Sequence, residues 1–229
     1  MKLAITIILT LAAIFISPAL ADYTAEYWSN QGDQYFTNGS YELAAASYDK
    51  ALELEPEHAA LLDNKGSALA NLGRYEDAIA CFDQALKINS SRAESHCLKG
   101  LALSMGLARN EEGLASLEKA LQINPQYYDA WTGKGMALAN DGKLEDALSC
   151  FQNASMIKPQ NPQGWNNQGV VLKELGRYDD AVSCFERALS LDPSYEIAAQ
   201  NKELAQQDLS QQSSDSDSDS DVQSMSHIL

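Results

Sequence analysis

The chain has 229 residues, 45% of them hydrophobic, and carries 16 basic against 32 acidic side chains for a formal charge of −16. So acidic a surface repels a phosphate backbone, which argues against nucleic acid as a partner. The four cysteines, Cys81, Cys97, Cys150 and Cys184, form no Cys-x-x-Cys pair and the three histidines are scattered, so neither a zinc site nor a nucleophile-plus-base set can be read.

Residues 1–21 begin with one lysine and continue as an uncharged apolar run from Leu3 to Ser17. Pro18 breaks the run, and Ala19-Leu20-Ala21 is a small-x-small cleavage pattern. This reads as a secretory signal peptide cut after Ala21, and hence a secreted or cell-surface protein. An uncleaved N-terminal membrane anchor is the alternative, although a spanning helix wants ~20 apolar residues and this run is shorter.

A block then occurs five times, at 25–58, 59–92, 93–127, 128–161 and 162–195. The third copy holds one residue more than the others, near its central turn. In each copy the fourth position is Trp28, Leu62, His96, Trp131 or Trp165, and the eighth is always glycine: Gly32, Gly66, Gly100, Gly135 and Gly169. The eleventh is Tyr35, Leu69, Leu103, Leu138 or Leu172, so spacings of four and three mark one face of a helix. Glycine inside a helix costs roughly 1 kcal/mol against alanine, and five of them demand a packing reason, such as a neighbouring helix axis that comes too close for a side chain. A second glycine (Gly39, Gly73, Gly142, Gly176) falls where a helix would end in a left-handed residue, and Gly106 is its displaced equivalent in the third copy. A second helix follows, with a small residue, then a bulky one four on (Tyr48, Phe82, Leu117, Phe151, Phe185), then alanine three further. Pro56, Pro125, Pro159 and Pro193 close four copies, since proline cannot continue a helix.

These offsets resemble the tetratricopeptide-repeat family, whose pattern is Trp, Leu-Gly, Tyr, Ala, Phe and Pro. The resemblance covers the five copies and implies an all-α fold, a right-handed α-solenoid of five helix-turn-helix repeats with a concave face lined by first helices. It implies a binding scaffold with no cofactor and no catalysis. Its groove positions, carried over residue by residue, give Asn30, Asn64, Leu98, Gly133, Asn167 and, in the capping helix, Asn201 at the sixth position. The ninth position gives Asp33, Ser67, Leu101, Met136, Val170 and Leu204, with Met105 nearby. An asparagine amide can both donate to and accept from an extended peptide backbone, or can simply be tolerated on a polar surface. The apolar run Leu98, Leu101, Met105, Met136 and Val170 either lines the groove or packs between copies; exposed contiguous apolar surface marks a binding site. Glu26, Asp33, Asp63, Glu94 and Asp129 make the flanks acidic. The lysine and arginine clamp that some members use for chaperone C-termini has no counterpart at the fifth position, which is Ser29, Asp63, Cys97, Thr132 and Asn166. The expected partner is therefore a protein or peptide offering an apolar or basic segment.

Residues 196–209 predict a capping helix, and the Ser/Asp-rich stretch 210–229 has too little apolar content to fold and reads as disordered. Cys150 and Cys184 occupy equivalent positions in successive copies, roughly 10 Å apart, too far for a disulfide. Cys81 and Cys97 lie on helices that could be neighbours, where a bridge stays open. Asn38, Asn89 and Asn153 head glycosylation sequons, Asn153 in mid-helix. Against the scaffold reading stands a structural surface protein that self-assembles through its solenoid ends; the oligomeric state is not fixed by any of these features.

Overall fold

A computed structural model describes residues 23–226, so the expected signal peptide, 1–21, lies outside the described residues. Helices α1 (Ala25–Thr37) and α2 (Tyr41–Leu54) form the first antiparallel pair. The next pairs are α3 (Ala59–Asn71) with α4 (Tyr75–Ile88), α5 (Ala93–Leu101) with α6 (Asn110–Ile123), α7 (Tyr128–Asn140) with α8 (Leu144–Ile157), and α9 (Pro162–Glu174) with α10 (Tyr178–Leu191). A final helix, α11, runs from Glu196 to Ser226. The described residues are all helix, turn and loop, without a strand.

The recurring glycine is explained by a ring. A Cβ at Gly32 would sit 2.5 Å from a ring carbon of Tyr48, one at Gly66 2.5 Å from Phe82, one at Gly135 2.8 Å from Phe151 and one at Gly169 2.5 Å from Phe185. What excludes a side chain in these four copies is thus the ring of the same copy's second helix, which rests on bare backbone; at Gly100 a Cβ would meet Leu117 Cγ at 2.7 Å and also the second helix's own backbone, the Gly113 carbonyl oxygen at 2.9 Å. Tyr48, Phe82, Leu117, Phe151 and Phe185 are all buried, as are the alanines that flank them, Ala44 and Ala51 in the first copy through Ala181 and Ala188 in the fifth.

The first helices of four copies end in the same way. Gly39, Gly73, Gly142 and Gly176 take a positive φ of 73–76°, and the next residue donates its N–H to a carbonyl five residues back, as Arg74 does to Leu69 at 2.9 Å. This is the Schellman stop, which glycine adopts without steric cost. The loops between copies are held from the other side. The indole N–H of Trp131 donates to the Pro125 carbonyl at 2.8 Å, and that of Trp165 to Pro159 at 3.0 Å. In the third copy His96 Nε2 lies 3.1 Å from the Ser90 carbonyl, the equivalent atom, so histidine replaces tryptophan without losing the tie.

The extra residue of the third copy is not taken up in a loop. It widens the end of the first helix into a π-helical turn, Ala102–Gly106. The closing bond now spans six residues, from the Arg109 N–H to the Leu103 carbonyl at 2.8 Å. The left-handed position moves to Ala108, whose φ is +54°, so Gly106 is not the displaced turn glycine that its sequence position implied. Gly106 is required for another reason: a Cβ there would penetrate the ring of Tyr75. The π-turn also drives Ser104 Oγ into the space a Cβ on Gly113 would need, which is why this copy has glycine where the others have alanine.

Successive copies are joined by a ladder of ion pairs. Lys65 pairs with Asp49 (2.6 Å), Lys99 with Asp83 (2.6 Å), Lys134 with Glu118 (2.9 Å) and Lys202 with Glu186 (2.9 Å). The missing rung falls at Gln168, which donates to Ser155 Oγ at 2.6 Å instead. Lys202 belongs to α11, so the last helix docks in the register of a sixth first helix, with Ala198 and Ala205 buried beneath it. The backbone of α11 does not stop near residue 209, where an unfolded tail was expected; it stays helical through Ser226. No proline or glycine follows Gly176 and Pro193 to break it, and serine and aspartate are weak helix formers without being terminators. The core divides into three clusters: one in the first two copies, a small one around Cys97, Leu117 and Ala130, and one from Leu138 to Ala205.

Two glycine-site substitutions should move stability in opposite directions. Gly66→Ala, forced against Phe82, is expected to lower unfolding free energy by about 1–3 kcal/mol. Ala108→Gly relieves a left-handed alanine and should raise it by about 0.5–1 kcal/mol after the entropy of glycine is deducted. Urea unfolding of both variants beside the parent chain checks the signs.

Candidate functional site

The nine residues expected on the groove do not form one uniform row. Leu98, Leu101 and Met105 meet in a cavity of about 370 Å³, whose wall is completed by Tyr75, Phe82 and Asn71. Met105 stands on the π-turn at its lip and is 52% exposed. Gly106 lies against Tyr75 on the same wall, so the inserted residue of the third copy shapes this cavity. Leu101 is half-buried: its Cδ2 would lie 2.6 Å from a Cβ on Gly133, so this leucine packs against the next copy while lining the cavity. Leu98 and Met105 thus line a cavity, and Leu101 both lines it and packs on the next copy. Met136 and Val170 pack against the C-terminal core cluster and do not join the cavity.

A second cavity, about 320 Å³, adjoins the first and shares Ser67 with it. It is lined by Asp33, Phe36, Thr37, Tyr48 and Asn64. The Tyr48 hydroxyl donates to Asp33 Oδ1 at 2.7 Å, and Asn64 Nδ2 approaches the same oxygen at 3.4 Å. Burial, and then the Asp33 carboxylate, push the Tyr48 hydroxyl well above the ordinary tyrosine range, so it is a permanent donor. Sequence reasoning passed over Tyr48 and Tyr75 because both sit in or at the start of second helices. A signal existed: of the five bulky positions only Tyr48 carries a hydroxyl, and its copy is the only one with a carboxylate at the ninth position.

The asparagines divide as well. Asn30 is exposed and Asn167 half-buried. Asn64 is engaged with Asp33, and Asn201 donates to Asn166 Oδ1 at 3.0 Å, tying α11 to the fifth copy. The fifth position does not face a groove. Asp63, expected on an acidic flank, is completely buried between the second and third copies. It forms an ion pair with Arg92 and accepts from Ser95 Oγ at 2.8 Å, while its Oδ1 has no partner. Burial holds the Asp63 carboxyl above its ordinary pKa although Arg92 and Ser95 pull it down. Cys97 and Asn166, at the same position in later copies, are buried too.

The four thiols are unpaired. Burial, followed by the charges of Asp129 and Glu94, raises Cys97 to about 12, and burial raises Cys150 and Cys184 to about 11. Such thiols stay protonated at neutral pH and are poor nucleophiles or ligands. Among the described residues no group of three or more His, Cys, Asp or Glu side chains comes together to hold a metal ion, and no helix is long and apolar enough to cross a membrane.

Stacked helix pairs, each sealed by a bulky side chain on a glycine and four of them closed by the same left-handed glycine stop, define a helical-repeat solenoid. Sequence profiles described as tetratricopeptide repeat match residues 29–96, 105–168 and 162–195. The chain belongs to the tetratricopeptide-repeat family. No curated protein matches it in sequence. Among solved structures it is similar to YrrB, described as a TPR protein with an unusual peptide-binding site, at 26% identity and a TM-score of 0.57, covering 80% of this chain and 94% of that one. It also resembles MamA from Desulfovibrio magneticus (24% identity, TM-score 0.62, 75% of this chain and 96% of that one) and a thermophilic TPR protein from Thermus thermophilus (18% identity, TM-score 0.70, 80% and 98%). At these identities the last two likenesses speak to the fold alone.

The buried ion pair generates a pH-dependent prediction. Removing one partner of a buried pair costs 3–5 kcal/mol, and Arg92→Ala should lie near the lower end, about 3 kcal/mol, because Arg92 is partly exposed. With Arg92 gone, Asp63 takes a still higher folded pKa, so its charge penalty is present at neutral pH and vanishes as the group protonates. Unfolding free energy of the variant should therefore rise between pH 7 and 5. Chemical denaturation at the two pH values reads the slope.

Proposed function

We propose that this protein is a non-catalytic interaction scaffold that works outside the cytoplasm and holds an extended or helical segment of another protein. The observation that carries this reading is the pair of adjoining cavities, which meet at Ser67 on the side formed by the first helices and are lined by Asp33, Asn64, Leu98, Leu101 and Met105. Two small, open, partly apolar depressions side by side suit a linear segment, whose side chains enter one after another. The YrrB likeness supports the same use of this fold. The apolar stretch up to Ser17 and the Ala19-Leu20-Ala21 pattern support export.

The test is co-purification from the native cell with the parent chain and a Met105→Asp variant as baits. Met105 is exposed, so the change should leave the melting temperature within a degree or two, as surface substitutions do. The expected result is a partner retained by the parent and lost by the variant, from protein whose N-terminal residue is Asp22. Identical partners on both baits would remove the groove, recovery of copies of the chain alone would favour end-to-end assembly, and an intact Met1 would overturn cleavage.

A further inference from the structure

We propose that the segment held by this protein is cationic at a defined place: a lysine or arginine side chain on Asp33, beside an apolar side chain in the Leu98–Leu101–Met105 cavity. This rests on the groove reading above and names the chemistry of its ligand. Three observations carry it. First, Asp33 is a positioned carboxylate. Tyr48 and Asn64 both bond to Oδ1, leaving Oδ2 unbonded among the described residues, in a cavity open to solvent. An oriented acceptor with one oxygen open suits an ammonium or guanidinium donor, the stronger class of hydrogen bond. Second, no base of its own copy neutralises it. The single lysine there, Lys50, lies 3.9 Å over the Trp28 ring, and of the other six acids of that copy Asp49 is paired with Lys65 of the next, which leaves the copy strongly acidic.

Third, two departures from the repeat pattern converge on this stretch. Packing alone accepts phenylalanine where Tyr48 stands, as the second, fourth and fifth copies do, so the hydroxyl answers to Asp33. Packing alone also has no need of the π-turn that sets Met105, half exposed, at the lip of the neighbouring cavity. Both departures open onto cavities that share Ser67. First helices of adjacent copies lie about 10 Å apart, and an extended chain advances about 3.3 Å per residue. Asp33 stands in the first copy and Leu98, Leu101 and Met105 in the third, with the second copy between them, so base and apolar residue should stand about three to six positions apart in the ligand.

The experiment selects random dodecapeptides displayed on phage against the full chain. An enriched peptide is then synthesised with its base and with glutamine in place of the base, and both are titrated by fluorescence anisotropy. The expected selection pairs leucine, isoleucine, methionine or phenylalanine with lysine or arginine about three to six positions away. Replacing the base should weaken binding about tenfold, the worth of one charged hydrogen bond. Asp33→Asn should weaken the basic peptide equally and leave the glutamine peptide unchanged. Tyr48→Phe, which restores the residue of three other copies, should narrow the gap between the two peptides while lowering the melting temperature by no more than about 2–4 °C, the loss of one hydrogen bond. If Met105→Asp abolishes binding while Asp33→Asn and the glutamine peptide change nothing, the groove stands and the cationic subsite falls. If no peptide is enriched, or neither variant affects binding, the groove reading falls and this inference with it.

Discussion

Everything in this solenoid depends on an aromatic or branched side chain lying flat on bare backbone. Five times a glycine in the first helix accepts the bulky residue of the second, at separations that would be overlap if a Cβ were present. The glycine weakens its helix, and the ring offsets that cost by filling the space at interior density. With the pair fixed, the alanines on either side of the ring bring the second helix close. The positive-φ glycines then turn the chain at one repeated angle. One contact, copied, thereby sets the geometry of the array.

Between copies a different force takes over. The lysine ladder links a first helix to the second helix before it, and the partners are always sixteen residues apart, from Asp49 and Lys65 to Glu186 and Lys202. Individually such half-exposed pairs contribute little. Their value lies in register: an acid in place of any of these lysines would face a like charge. Where both partners are glutamine, at Gln152 and Gln168, the joint is instead closed by the bond to Ser155. The C-terminal helix obeys the same register, yet it has Glu203 where glycine would seat a ring. It can dock on what precedes it and offers no seat for a partner helix of its own.

The periodic features of this fold were legible because glycine, aromatic and proline positions recur in step. The aperiodic ones were not. One inserted residue can be absorbed in a turn, a loop or a helix, and only packing decides; here Tyr75 fixes Gly106 and the excess becomes a π-turn. The fifth position carries serine, aspartate, cysteine, threonine and asparagine, a mixture that reads as surface, yet Asp63 and Cys97 are buried because that face meets the next copy. Part of the candidate site could be found by register, since Leu98, Leu101 and Met105 do share a cavity. Its second-helix contributions could not, because Tyr48 looks like one more ring until its hydroxyl is seen on Asp33. The long final helix was missed because composition weighs propensity, whereas no residue after Pro193 forbids the helix.

The three core clusters stand in series along the array, and the cavity at Met105 lies on the seam between the first and the second: Phe82 belongs to one and Leu101 packs on the other. In a linear array each joint opens with its own free energy, and no distant contact compensates for a weak one. The seam copy is the one with leucine for the ring, a π-turn and a left-handed alanine. A segment bound across it, as proposed above, would act as a splint across two blocks, and by linkage its binding would stabilise the joint it spans. Occupancy and rigidity are then one equilibrium, so that a partner would feel a firmer rod at its far end than the empty protein presents.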